Sequence, residues 1–136
     1  MSKIEGGCLC GAVRYRSAAE PVMVGVCHCR NCQKQAGSAF SIIVAVPADS
    51  LAVQGETKTY VDHGDSGNTV LRIFCPQCGS PVISDVQSPA SASLRFIKAG
   101  TLDDPSWLAP GLHFWCRSKQ PWVAIEPGVP QFPANP

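Results

Sequence analysis

Three thiols fall within six residues in Cys27-His28-Cys29-Arg30-Asn31-Cys32. Two further pairs flank them at a distance, Cys8-Leu9-Cys10 and Cys75-Pro76-Gln77-Cys78-Gly79, and Cys116 stands apart. Eight cysteines in 136 residues need a purpose. Adjacent cysteines such as Cys8 and Cys10 make poor disulfide partners for one another. The opening Met1-Ser2-Lys3-Ile4-Glu5-Gly6-Gly7 has no apolar run of the kind a secretory signal needs. The expected compartment is therefore the cytoplasm, where thiols stay reduced. Metal binding is the leading use of thiols at these spacings, with zinc preferred to iron on ligand softness.

The outer pairs together supply four sulfurs, the ligand count of a closed structural zinc. If Cys8 and Cys10 lie on a strand, both face one ion, because residues two apart share a side. In the second pair Pro76 presets a bend and Gly79 tolerates positive φ after the last ligand, the shape of a zinc knuckle. A metal bond formed only in the folded chain offsets the entropy of closing so long a loop.

The central triplet is of another kind. Cys27 and Cys29 are expected at the end of a strand and Cys32 on the first turn of a short helix, whose N–H groups favour thiolates. Three convergent sulfurs leave the fourth position of a tetrahedral zinc for water or substrate, as catalytic sites require. A fourth protein ligand would close the site, and Cys116, His28, His63 and His113 are the residues able to supply it. His28 alternates between two ligands and is expected to point away. Cys116, within Phe114-Trp115-Cys116, reads equally as a small buried hydrophobe.

The elements that must position these groups are short. Twelve glycines and twelve prolines divide the chain. Strands are expected over 12–16, 22–27, 40–46, 57–61, 69–74 and 94–99, with weaker ones over 51–53, 81–84, 113–115 and 123–125. A helix is expected over 30–36, stopped by Gly37 in a left-handed conformation. A hairpin connection is expected over 62–68, a polar loop over 87–93 and a turn over 100–105. This pattern predicts an all-β sandwich or barrel-like pair of sheets with one short helix. One domain spans 1–136, with its core over 6–122 and a proline-rich, irregular or extended tail over 126–136.

Eleven basic against ten acidic residues leave a net charge of +1, which excludes an electrostatic trap for nucleic acid or an anionic membrane. No apolar stretch approaches the roughly 20 residues that span a bilayer.

Four segments in this order, Gly7-Cys8-Leu9-Cys10-Gly11-Ala12-Val13, Cys27-His28-Cys29-Arg30-Asn31-Cys32, Phe74-Cys75-Pro76-Gln77-Cys78-Gly79 and Gly100-Thr101-Leu102-Asp103-Asp104, resemble the glutathione-dependent formaldehyde-activating enzyme family, also called the centromere-protein-V/GFA domain. The likeness runs from about Gly6 to Trp122, and His113 and Lys119-Gln120-Pro121-Trp122 resemble its closing signature. It implies a zinc-pinned β-tent, two layers of antiparallel strands, with two zinc ions. One is structural, on Cys8, Cys10, Cys75 and Cys78; the other is catalytic, on Cys27, Cys29 and Cys32. It also implies S-(hydroxymethyl)glutathione synthase activity, a zinc-dependent carbon–sulfur lyase reaction on a thiol–aldehyde adduct, with glutathione or a similar small thiol and a small aldehyde as partners. Within that reading His28 and His113 are the nominated proton donors, and Arg30 and Lys119 the groups that would hold substrate carboxylates. The competing reading is a zinc-stabilised binding module with two structural metals and no catalysis. The fourth ligand of the Cys27 cluster separates the two.

Overall fold

Runs rich in β-branched residues become strands, and the glycines and prolines between them become turns. The computed structural model describes residues 4–64 and 66–136. Asp65, in the expected 62–68 connection, and Met1-Ser2-Lys3 lie outside the described residues. The elements in chain order are β1 (Ile4–Gly7), β2 (Arg14–Ser17), β3 (Met23–Cys27), α1 (Arg30–Ala36), β4 (Ser41–Pro47), β5 (Leu51–Gln54), β6 (Lys58–His63), β7 (Thr69–Phe74), β8 (Pro81–Gln87), β9 (Leu94–Lys98) and β10 (Leu112–Phe114). They form a three-stranded sheet, β1-β2-β5, and a seven-stranded sheet, β10-β3-β4-β9-β8-β7-β6. The two-layer all-β architecture read from the sequence is the one found.

The large sheet has two buried faces with different tasks, because side chains alternate along each strand. Val44, Val46, Ile83 and Ile97 turn one way and pack on Ile4, Val13 and Tyr15 of the small-sheet side. Each fully buried Val or Ile here contributes about 1.5–3 kcal/mol. Ile43, Ala45 and Phe96 turn the other way and meet Met23, Val86, Leu94 and Phe114. The register sets Arg72 opposite Ser84, Ser84 opposite Phe96 and Phe96 opposite Ala45, so one row of side chains crosses four strands on this second face.

Several expectations are corrected. Cys8–Cys10 is not strand: β1 ends at Gly7, and Gly11 N–H donates to the Cys8 carbonyl at 3.1 Å, closing a turn. The stretch 123–125 is not a strand either, since the carbonyls around it are taken by turns and by Lys119. Strand β10 pairs parallel with β3, the exception to an otherwise antiparallel set. The tail is attached to the sheet: the Trp115 and Cys116 N–H groups donate to the Ala134 and Phe132 carbonyls, and Phe132 N–H returns to the His113 carbonyl.

Candidate metal centres

The outer pairs come from two turns on different sheets. One turn joins β1 to β2 and carries Cys8 and Cys10; the other joins β7 to β8 and carries Cys75 and Cys78. The four sulfurs lie within 4.8 Å of one another. Cys10 Sγ is 3.6 Å from Cys8 Sγ and 3.7 Å from Cys75 Sγ, so no disulfide joins them. A tetrahedron with metal–sulfur bonds of about 2.3 Å has edges of about 3.8 Å. The donor set therefore fits one ion without rearrangement. Backbone N–H groups already point at the sulfurs, Val13 at Cys8 (3.2 Å) and Gln77 at Cys75 (3.4 Å), where they stabilise thiolates. Gly79 has φ +78°, which lets the second turn close with its N–H on the Cys75 carbonyl.

The triplet is built within six residues. β3 ends at Cys27, Cys29 is the N-cap of α1 in extended backbone, and Cys32 is on its first turn. The Cys29 sulfur accepts the Cys32 N–H at 3.2 Å, doing what a serine or aspartate does at an N-cap. Gly37 ends the helix at φ 65°, ψ 33°. The three sulfurs lie within 4.8 Å of one another, and no further cysteine, histidine or carboxylate among the described residues joins them. Crowding divides their protons: hydrogen bonds from Cys27 and Cys29 push the Cys32 thiol far down, with the Lys98 and Arg72 charges assisting. Cys27 is pushed up by Cys29 and Cys32, and Cys29 rises through Cys32 and burial although its bond to Cys27 opposes this. A divalent ion held between the three sulfurs would remove their mutual repulsion.

This cluster forms one wall of a cavity of about 370 Å³. Cys27, Cys29 and Cys32 meet it on one side, with Lys98, Arg72 and Ser84 beside them, and Ile43, Val70, Val86, Leu94, Phe96 and Phe114 are among the apolar residues of the remaining wall. Lys98, 7% exposed, donates from Nζ to Ser41 Oγ at 2.8 Å. Burial pulls its ammonium down, and the thiolates act against that shift. Arg72, 3% exposed, donates from Nε to Asp62 at 2.8 Å, while its Nη2 lies 3.9 Å from Cys32 Sγ. Both oxygens of Asp62 in turn accept from the Asn31 amide, at 3.1 and 3.0 Å, tying the start of α1 to β6. Trp115 packs on Cys27 and Cys29 and lines the cavity in a left-handed backbone conformation, φ 58°. A non-glycine residue there is held by its surroundings, here by Asn135 accepting the indole N–H at 2.8 Å and by Arg117 stacked 4.7 Å from the ring centre.

The other nominated residues lie elsewhere. His28 points away from the cluster as expected; it is fully buried, with its Nε2 2.8 Å from His113 Nδ1. The ring is held down to about 4 by burial, then by His113 and Lys119. Neither histidine is among the cavity residues, and nor is His63, which is exposed. Cys116 belongs to neither sulfur cluster. Arg30 is spent on Gln33 Oε1, and Lys119 donates to the Gln120 and Val123 carbonyls. Sequence reading missed Arg72, Lys98 and Ser84. The signal was present: Arg72 shares a strand face with Val70, and Lys98 with Phe96, so each is a cation at an inward position of an apolar strand.

A two-sheet β protein with one complete and one incomplete thiolate cluster, the second facing a cavity, is the class these features define. The sequence model of the family described as glutathione-dependent formaldehyde-activating enzyme matches residues 3–118. A Halomonas elongata protein provisionally given that name is 31% identical over 129 residues, covering 90% of this chain and 81% of its own length. A Colletotrichum graminicola protein of the same provisional name is 27% identical over 111 residues, 74% of this chain and 57% of its own. The crystal structure of a Rhodobacter sphaeroides protein superposes with a TM-score of 0.57 at 17% identity, over 95% of this chain and 99% of the other, a likeness of fold alone. The chain belongs to the glutathione-dependent formaldehyde-activating enzyme family. No helix among the described residues is long and apolar enough to cross a membrane.

Proposed function

We propose that the chain is a zinc-dependent carbon–sulfur lyase that makes and breaks thiol–aldehyde adducts, of the S-(hydroxymethyl)glutathione synthase type. Cys8, Cys10, Cys75 and Cys78 hold the structural zinc, and Cys27, Cys29 and Cys32 hold the catalytic one. The observation that carries this reading is the contrast between a cluster complete at four sulfurs and one of three that faces a 370 Å³ cavity. A binding module with two closed metals has no use for that opening.

Bound at the triad, zinc would supply acidification of a thiol taking the remaining position. The chain's own groups supply the rest. The apolar wall excludes water around the reacting atoms and strengthens the Lys98 and Arg72 charges. A thiolate sulfur attacks the aldehyde carbon, the C–S bond forms, and the carbonyl π pair moves to oxygen. The Lys98 ammonium, held by Ser41 beside the sulfurs, gives that oxygen its proton, and the proton released by the thiol restores the ammonium; in the reverse direction the Lys98 amine takes the hydroxyl proton as the C–S bond breaks and the departing thiolate is reprotonated. This role passes from His28 and His113 to Lys98, because neither histidine ring lines the cavity. Arg72 steadies Cys32 through its contact with the sulfur.

The test is exchange NMR on glutathione and formaldehyde with the zinc-loaded protein. Adduct exchange faster than the spontaneous reaction is expected, and Lys98→Met is expected to lose about 10²-fold or more of kcat with zinc content unchanged. No acceleration with glutathione, and none with any small thiol, removes the lyase reading.

A further inference from the structure

The cavity is graded along the strands from charged to apolar. On β9 its residues run Lys98, Phe96, Leu94; on β8, Ser84 then Val86; on β7, Arg72 then Val70. The register aligns these steps, since Arg72 faces Ser84, Ser84 faces Phe96, and Val70 faces Val86. Alternate residues on a strand are about 7 Å apart, so the Leu94 level lies about 14 Å of backbone from Lys98. All side-chain charge on the lining among the described residues, Lys98 and Arg72, sits at the sulfur end, and Arg72 is already paired with Asp62. At the far end the wall is aliphatic and aromatic, and Ser66, Asn68 and Ser88 on that side are neutral.

A thiol seated on the triad must lay its remaining atoms against that far end. We propose that the thiol this site binds most tightly is a small one with an uncharged apolar arm, an aryl or branched alkyl group, with a peptide thiol bearing several charges, such as glutathione, accepted more weakly. The inference rests on the triad being the thiol-binding centre. Glutathione carries two carboxylates and an ammonium remote from its sulfur. Those groups would meet the apolar level, where no described side chain of opposite charge awaits them and where losing water is costly. An aryl arm gains by the same burial.

The experiment is calorimetric titration of the zinc-loaded full chain with 2-phenylethanethiol, with 2-mercaptoethanol and with glutathione at one pH. The aryl thiol is expected to bind at least tenfold more tightly than either, a gap of about 1.4 kcal/mol. Val86→Asp puts a carboxylate into the apolar level and is expected to shrink the aryl preference at least fivefold; Val86→Thr, milder for folding, is expected to shrink it in the same direction. Glutathione binding as tightly as the aryl thiol, a preference indifferent to both Val86 variants, or no binding by any of the three overturns the proposal. Exchange NMR on the same samples keeps the two readings apart. Tight aryl binding without catalysis removes the lyase and retains the ligand class. Catalysis best with glutathione does the reverse.

Discussion

Replacing Asp62 with alanine tests the charge arrangement behind the triad. The side chains of Arg72 and Asp62 are 4% and 16% exposed, and 2.8 Å separates Arg72 Nε from the carboxylate. Removing one partner of a buried pair strands the other charge and costs about 3–5 kcal/mol. The residual exposure of Asp62 puts D62A at the lower end, about 3 kcal/mol, which for a chain of this size lowers Tm by roughly 10 °C. R72M removes the stranded charge while keeping an apolar stem of similar length. The double variant D62A/R72M is therefore expected to be about 2 kcal/mol more stable than D62A, since an apolar pair replaces a buried ion pair at little cost. The assay is urea unfolding of the metal-loaded proteins at pH 7 by circular dichroism, with metal content measured on the same samples. A D62A loss under about 1 kcal/mol, or a double variant less stable than the single, refutes the reasoning. The acid limb gives a second check. Burial works to raise the Asp62 carboxyl, but Arg72 and then Asn31 outweigh it and hold it below the ordinary range. A depressed folded value stabilises fully above the unfolded value of about 3.9 and stops doing so as pH falls through the folded one. The gap between wild type and D62A is expected to be constant near neutrality and to narrow below about pH 4.

The two metal centres are expected to empty in order. A chelator at pH 7 can enter through the unfilled position of the triad, so one equivalent of metal leaves first with the far-UV spectrum unchanged, and the second leaves with unfolding. Elemental analysis alongside circular dichroism follows both, and simultaneous loss contradicts the division of roles. At Gly55, where φ is +98°, an added Cβ would strike the Ala12 carbonyl oxygen of the neighbouring segment. Gly55→Ala is expected to lose about 2 kcal/mol or more in the same urea assay, through strain and displacement together; an unchanged midpoint would show that the 12–13 segment moves freely.

The cysteine spacings carried most of the site, and alternation carried most of the strands, because both are local. Helix α1 was legible to the residue, since Gly37 must adopt a left-handed stop and the run before it has no competing strand pattern. What escaped depends on register. Arg72 and Lys98 reach the cavity because β7, β8, β9 and β4 stack in a set order, and nothing within a strand says which neighbour it will face. Strand β1, with only four residues and two glycines, has no periodic signal of its own; it forms because it pairs with β2. The tail shows the same limit: its prolines exclude a central strand, yet an extended edge segment alongside β10 still forms through carbonyls that proline keeps.

The different roles proposed for the two clusters accord with how much chain each one closes. Cys10 and Cys75 are 65 residues apart and belong to turns on different sheets, where Leu9 N–H and Ser80 Oγ add a further link at 3.0 Å. By the loop-entropy relation used for cross-links, joining residues at that separation removes about 4 kcal/mol of unfolded-state freedom. A site at that junction gains most from being saturated and permanent. The triad lies within six residues, so a bond between its ends constrains the unfolded chain by only about half as much. It also ties together elements that the β3–β4 pairing and the N-cap already fix. A local cluster of that kind is a weak staple. Its three sulfurs, the buried lysine beside them and the cavity they face gain more from an exchangeable fourth ligand than from a fourth side chain.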